Sequence, residues 1–91
     1  MQLGKVIGRL TATRKDEKLV GTKLLVTQPI DVDGKPNAQA IIAVDTVGAG
    51  VGEKVIYVNG SMASRALPNK EAPVDAAIVG IIASLDCDEG G

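Results

Sequence analysis

Histidine, tryptophan and phenylalanine are all absent from this 91-residue chain, and Tyr57 is its one aromatic residue. Each absence narrows the chemistry. Without histidine the chain lacks the commonest general base near neutral pH and the commonest metal ligand. The single cysteine, Cys87, excludes an internal disulfide and a cysteine-based zinc site, and it suits a reducing cytoplasm. Ten basic and eleven acidic residues are well mixed, for a net charge of −1. With no basic block to neutralise phosphates, nucleic acid is disfavoured as a partner. The longest nearly apolar run, Ala72 to Leu85, contains Pro73 and Asp75 and is too short to span a bilayer. No signal-peptide pattern opens the chain, so the expectation is a soluble intracellular protein with no membrane partner.

What is present is a 45% apolar fraction made almost entirely of Val, Ile, Leu and Ala. A domain of this length buries roughly 60–65% of the surface that its unfolded chain exposes. Aromatic residues usually supply the largest single increments of buried area. This core must instead be built from many small pieces, and assembly with further copies would add the missing burial. A homo-oligomer is therefore expected.

Alternation predicts five strands. The first runs from Leu3 to Thr13, with Gly4, Val6, Gly8, Leu10 and Ala12 on one face, where the glycines suggest curvature or close backbone approach. Leu19 to Ile30 is the second, after a charged connection. Asp31 to Pro36 carries turn chemistry, strongest at Asp33-Gly34. Gln39 to Val47 is the third, with Ala40, Ile42 and Val44 on one side and Ile41, Ala43 and Asp45 on the other. Glu53 to Val58 is the fourth. Ser61 to Leu67 forms one or two helical turns with Ser61 as N-cap, broken at Pro68-Asn69. Val74 to Leu85 is the fifth strand, apolar on both faces; a buried helix is the competing reading, but the β-branched content favours strand. Such a strand requires cover on both sides, which a closed barrel can supply on one and a neighbouring subunit on the other. The fold class is all-β with a small helix, a five-stranded OB-like barrel spanning residues 1–85. Residues 86–91 form a short acidic tail, expected to be mobile.

Two small-residue loops flank the fourth strand, Asp45-Thr-Val-Gly-Ala-Gly50 and Gly60-Ser-Met-Ala-Ser-Arg65, and their closeness in sequence suggests the same end of the domain. Neither carries groups for covalent chemistry. Gly48-Ala-Gly-Val-Gly52 is no dinucleotide fingerprint, because a strand and not a helix follows it; a tight turn or a subunit contact is the reading. Ser61 and Ser64 have no evident activating base. Asp31, Asp33 and the group Asp86, Asp88 and Glu89 read as solvated carboxylates, and no metal or cofactor is expected. Three charged residues stand in apolar contexts: Asp45, Asp75 and Arg65. Buried carboxylates need a cation or several N–H donors. Arg65 is a candidate partner for either aspartate, within a chain or across a subunit boundary. Exposure at strand ends is the alternative.

Four segments in register then carry a resemblance: Leu3-Gly-Lys-Val-Ile-Gly8, Ala43-Val-Asp-Thr-Val-Gly-Ala-Gly50, Gly60-Ser-Met-Ala-Ser-Arg65 and Pro73-Val-Asp-Ala-Ala-Ile-Val-Gly-Ile-Ile82. Together they resemble the EutN/CcmL family, the pentameric vertex proteins of bacterial microcompartment shells, from about Met1 to Leu85. The resemblance implies a homopentameric, non-enzymatic shell protein that caps vertices of a cytoplasmic compartment otherwise tiled by hexameric and pseudohexameric shell proteins. It also implies a narrow opening on the five-fold axis. The axis role falls on Gly60 and Ser61, and then on Gly48, Ala49 and Gly50; the subunit contacts fall on Asp45, Arg65 and Asp75. Two departures accompany it. The chain ends at Gly91 where family members often continue with a segment packed on a neighbour, and Ser64 splits the more usual Ser-Ala-Arg ending. The reading from another class is a small OB-like binding module for an anion or metabolite.

Overall fold

The computed structural model describes residues 1–11, 17, 21–67 and 75–84. It contains strands β1 (Gln2–Leu10), β2 (Lys23–Pro29), β3 (Ile41–Asp45) and β4 (Lys54–Asn59), the one-turn helix α1 (Ser61–Arg65) and strand β5 (Ala76–Ile81). The strands close into a barrel in the order β1-β2-β3-β5-β4, with β4 returning to β1. Every neighbour pair is antiparallel except β3 and β5. The predicted all-β, OB-like class is the one observed. Of the predicted spans, Ala12 and Thr13, Leu19 and Val20, Val74 and Leu85, and the whole 86–91 tail lie outside the described residues.

Alternation explains most of the interior. Val6, Leu25, Ala43, Val55, Tyr57, Ala76 and Ile78 point inward and form one cluster, joined by Ala49 from the loop after β3. Fully burying an aliphatic side chain such as Leu25 or Ile78 contributes about 1.5–3 kcal/mol. Two smaller clusters lie on the outside of the wall. Leu67 covers Val44, with Leu24 alongside. Ala63 of α1 packs against Val58 and Ala77, flanked by Ala66 and Val79.

That outer layer corrects one expectation. The second face of β5 was assigned to a neighbouring subunit, yet Ala77 is covered by the chain's own helix. β3 shows the same logic, because Ala43 fills the barrel while Val44, on the opposite face, lies under Leu67. Ile42 shares Val44's face but has no such cover and stays 45% exposed. β1 departs from simple alternation. A register shift between Val6 and Gly8 breaks the period, and Leu10, predicted to share the inner face, is 43% exposed. A bulge of this kind re-aims every side chain beyond it.

The narrowest point of the interior is at Gly4. A Cβ there would stand 2.6 Å from the Thr27 methyl and 3.2 Å from the Tyr57 ring. The one aromatic residue therefore occupies space that only a glycine on the facing strand leaves open. Replacing Gly4 by alanine is expected to lower unfolding stability by about 1–3 kcal/mol. Gly8→Ala, whose nearest neighbour would be 3.8 Å away, should cost well under that. Urea denaturation of the two variants checks the contrast. Burial also raises the Tyr57 hydroxyl above its ordinary value of 10.0. The folded state thus favours the neutral phenol. This contribution is intact below the unfolded value and is lost as pH rises through the folded one. Stability should fall more steeply above about pH 10 in the wild type than in Tyr57→Phe, as followed by thermal melts across alkaline pH.

Candidate functional site

The loop after β3 is held by one carboxylate. Asp45 closes β3 with its side chain only 3% exposed. Its Oδ1 accepts the amides of Val47 and Gly48, each at 3.1 Å, and its Oδ2 accepts that of Ala49 at 3.0 Å. Lys23 of β2 completes the arrangement: its ammonium stands 3.4 Å from Oδ2 and donates to the Ala49 carbonyl at 2.7 Å. On the far side of the loop Glu53 accepts the Gly50 amide at 2.7 Å, and Gly52 donates to the Val6 carbonyl at 2.7 Å. Thr46 donates through both its amide and its hydroxyl to the carbonyl of Ile78. Gly48 sits at φ 81°, a backbone state that side chains disfavour. The result is a cap across one end of the barrel, with the Ala49 methyl buried in the core.

The second loop is anchored differently. Gly60, at φ 64°, donates its amide to the Asp75 carbonyl at 2.9 Å and accepts from the Ala63 amide at 3.1 Å. α1 begins at Ser61, so the cap position falls on Gly60 and not on Ser61 as expected. Ala63 is buried, whereas Met62 and Arg65 face solvent, as does Asp75.

The expectation that the two loops share one end of the domain is not met. β4 lies between them, and six strand residues carry the chain roughly 20 Å across the barrel. Closeness in sequence, with a single strand intervening, places loops at opposite ends. Nor does Arg65 serve Asp45 within the chain. Among the described residues the only ion pair is Lys23–Asp45, which leaves Arg65 and Asp75 without an ionic partner there. Ala49 is wholly buried, so it offers no surface of its own. Lys23 was missed by the sequence reading, although a signal existed: it shares the inward parity of Leu25 and Thr27 on β2, where a lysine needs a local anion.

At the Gly60 end the barrel mouth opens into a cleft of about 530 Å³ with Pro29, Ile41 and Tyr57 toward its floor and Gln39, Asn59 and Asp75 at its rim. No group of three metal-ligating side chains occurs among the described residues. No described helix is long and apolar enough to cross a membrane. In the loop after β3 the side chains of Asp45, Thr46 and Glu53 are spent on backbone amides and carbonyls. The fold defines a small OB-like barrel, closed at one end by a loop tied to Asp45.

The family model described as "Ethanolamine utilisation protein EutN/carboxysome" matches residues 1–83. The carboxysome shell vertex protein CcmL of Gloeobacter violaceus is 40% identical over 97% of this chain and 88% of its own. The bacterial microcompartment shell vertex protein EutN of Salmonella typhimurium is 39% identical over 90% of this chain and 83% of its own. Among solved structures, the GrpN pentameric microcompartment shell protein from Rhodospirillum rubrum superposes with a TM-score of 0.87 at 43% identity, covering 97% of this chain and all of that one. The chain belongs to the EutN/CcmL family.

Removing the Asp45 carboxylate frees three amides and the Lys23 ammonium together. Asp45→Ala is expected to destabilise the fold by about 2–4 kcal/mol, and Asp45→Asn by less, because one acceptor oxygen remains. Hydrogen exchange at the Gly48 and Ala49 amides should accelerate first, since they lose their acceptor directly.

Proposed function

We propose that this chain is a homopentameric vertex protein of a bacterial microcompartment shell, acting in the cytoplasm without catalysis. The observation that carries the reading is the likeness, at 43% identity over the full length of the solved chain, to a shell protein described as pentameric. A ring of five needs a heterologous contact, in which two different faces of the subunit meet. The exposed apolar residues suit that demand because they do not gather on one side. Ile7 and Ile42 lie on the β1–β2–β3 wall, Val47 and Val51 on the cap, and Met62 on α1. Hexameric and pseudohexameric shell proteins are the partners around such a vertex.

Within this reading Gly60 and Ser61 are placed nearest the five-fold axis. Of Gly48, Ala49 and Gly50, at the other end of β4, only the two glycines have surface to offer a neighbour, since Ala49 is committed to the core. Arg65 and Asp75 are the charged subunit contacts. Asp45 acts behind the interface by shaping the cap that a neighbour meets. Light scattering after size exclusion is expected to give about five times the chain mass; a monomer that binds phosphate or a nucleotide one-per-chain in calorimetry would overturn the reading in favour of a binding module.

A further inference from the structure

The exposed face of α1 and the cleft at the same end of the barrel carry the two halves of one contact. Helix residues three apart share a face. α1 packs Ala63 against Val58 and Ala77, with Ala66 alongside, and presents Met62 and Arg65 to solvent. Met62 is 54% exposed, a flexible apolar side chain of the kind that fills irregular gaps. Arg65 has no ionic partner among the described residues. The helix thus offers an apolar knob and a cation side by side.

The cleft is the complement of that face. Pro29, Ile41 and Tyr57 make its floor apolar, Asp75 stands at its rim, and no basic residue lines it. Asp75 serves its own chain through its backbone carbonyl, which accepts the Gly60 amide. Its carboxylate has no ionic partner among the described residues. Other acidic side chains are engaged elsewhere: Asp31, Asp45 and Glu53 accept amides of their own loops, and Asp33 stands in the turn beside the Lys54 ammonium. Helix face and cleft are separate surfaces of one subunit, since α1 packs on the outer wall and Tyr57 belongs to the interior. They nevertheless sit at one level, because α1 follows Gly60 directly and Gly60 is tied to Asp75. Rotation about an axis leaves height along that axis unchanged. Unlike surfaces at one level therefore meet in a closed ring, where surfaces at different levels would build a spiral.

We propose that α1 of one copy docks on the cleft of the next, with Met62 entering over Pro29 and Ile41 and Arg65 pairing with the Asp75 carboxylate at the rim. The occupant is a second copy because its helix combines the apolar knob with the charge that the rim calls for. The inference rests on the pentameric reading and gives that ring's contact its two unlike faces. The cleft is then complete only when a neighbour supplies the side chains.

The test is charge reversal in the full chain, read by light scattering across a dilution series. R65D and D75R, each of which sets like charges together, should raise the concentration of half-dissociation by about tenfold or more. M62D, which forces a carboxylate against the apolar floor, should do the same. Circular dichroism should show all three folded, because none of these side chains is buried in its own chain. Mixed in equal amounts, R65D and D75R chains should assemble again, since alternating neighbours pair Asp with Arg at all but one contact of the ring. A pair formed within one chain would give no such rescue. A wild type that stays monomeric at every concentration overturns the pentameric reading and this contact together. A wild-type pentamer that the three substitutions leave unchanged, or a mixture no better assembled than its components, overturns the contact alone.

Discussion

The Asp45 carboxylate is the interaction on which the rest of this barrel depends. A core of Val, Ile, Leu and Ala has little area to spare, so an open barrel end would cost it a large share of its stabilisation. Asp45 prevents that by gathering three consecutive amides onto one side chain and drawing Lys23 over the top. The loop is thereby bent so that Ala49 seals the interior. The same bend delivers the chain into β4 in register. Gly52 and Glu53 bond to Val6 at the point where β4 begins to pair with β1. Since β4 is the strand that joins β1 to β5, closure of the whole barrel follows from how this one loop is tied.

The interior and the outer wall solve the same shortage in different ways. Inside, the one aromatic side chain, Tyr57, is accommodated by the lack of a side chain at Gly4 on the neighbouring strand. Outside, α1 and Leu67 lay a thin second layer over β3, β4 and β5, which converts the outward apolar residues Val44, Val58 and Ala77 into additional core. Among the described residues no comparable layer covers the β1–β2–β3 wall, where Ile7 and Ile42 are exposed. Met62 on α1 is exposed as well, so apolar surface remains on more than one side of the subunit. A ring joins unlike faces, and apolar surface spread in this way suits such a contact.

The fold class was legible because its signals are local. Alternation, the Asp33-Gly34 turn and the break after Leu67 each report on a few neighbouring residues, and so five strands and a short helix could be read in order. The family was legible for a similar reason, from four short segments in register. Relations across space were not. The bulge at Val6–Gly8 depends on how β1 pairs with β2, and nothing in β1 alone reveals that Leu10 will turn outward. Asp45 was correctly singled out as a carboxylate needing donors. Its donors were sought in Arg65, whereas they came from its own loop and from Lys23, a residue 22 positions earlier that β2–β3 pairing places directly opposite. The two glycine-containing loops were judged by their separation in sequence, but the direction of the intervening strand decides where they lie.

That last relation bears on how such a subunit would set curvature. In a vertex ring the angle between neighbours is fixed by the shape of each wedge, and an error at one contact is repeated at every other. Here the cap and the Gly60 turn sit at the two ends of β4, a strand paired on both sides, to β1 and to β5. Each loop is fastened to this frame by short bonds: the cap through Asp45, Lys23 and Gly52, and the Gly60 turn through Asp75. The spacing between the loops is then set by a hydrogen-bonded strand and not by flexible side chains. Small residues serve this design in both places, because backbone held at a fixed position can be approached closely by a neighbour only where no side chain intervenes. In the cap the carboxylates serve the same requirement, since Asp45 and Glu53 are used to hold the backbone still.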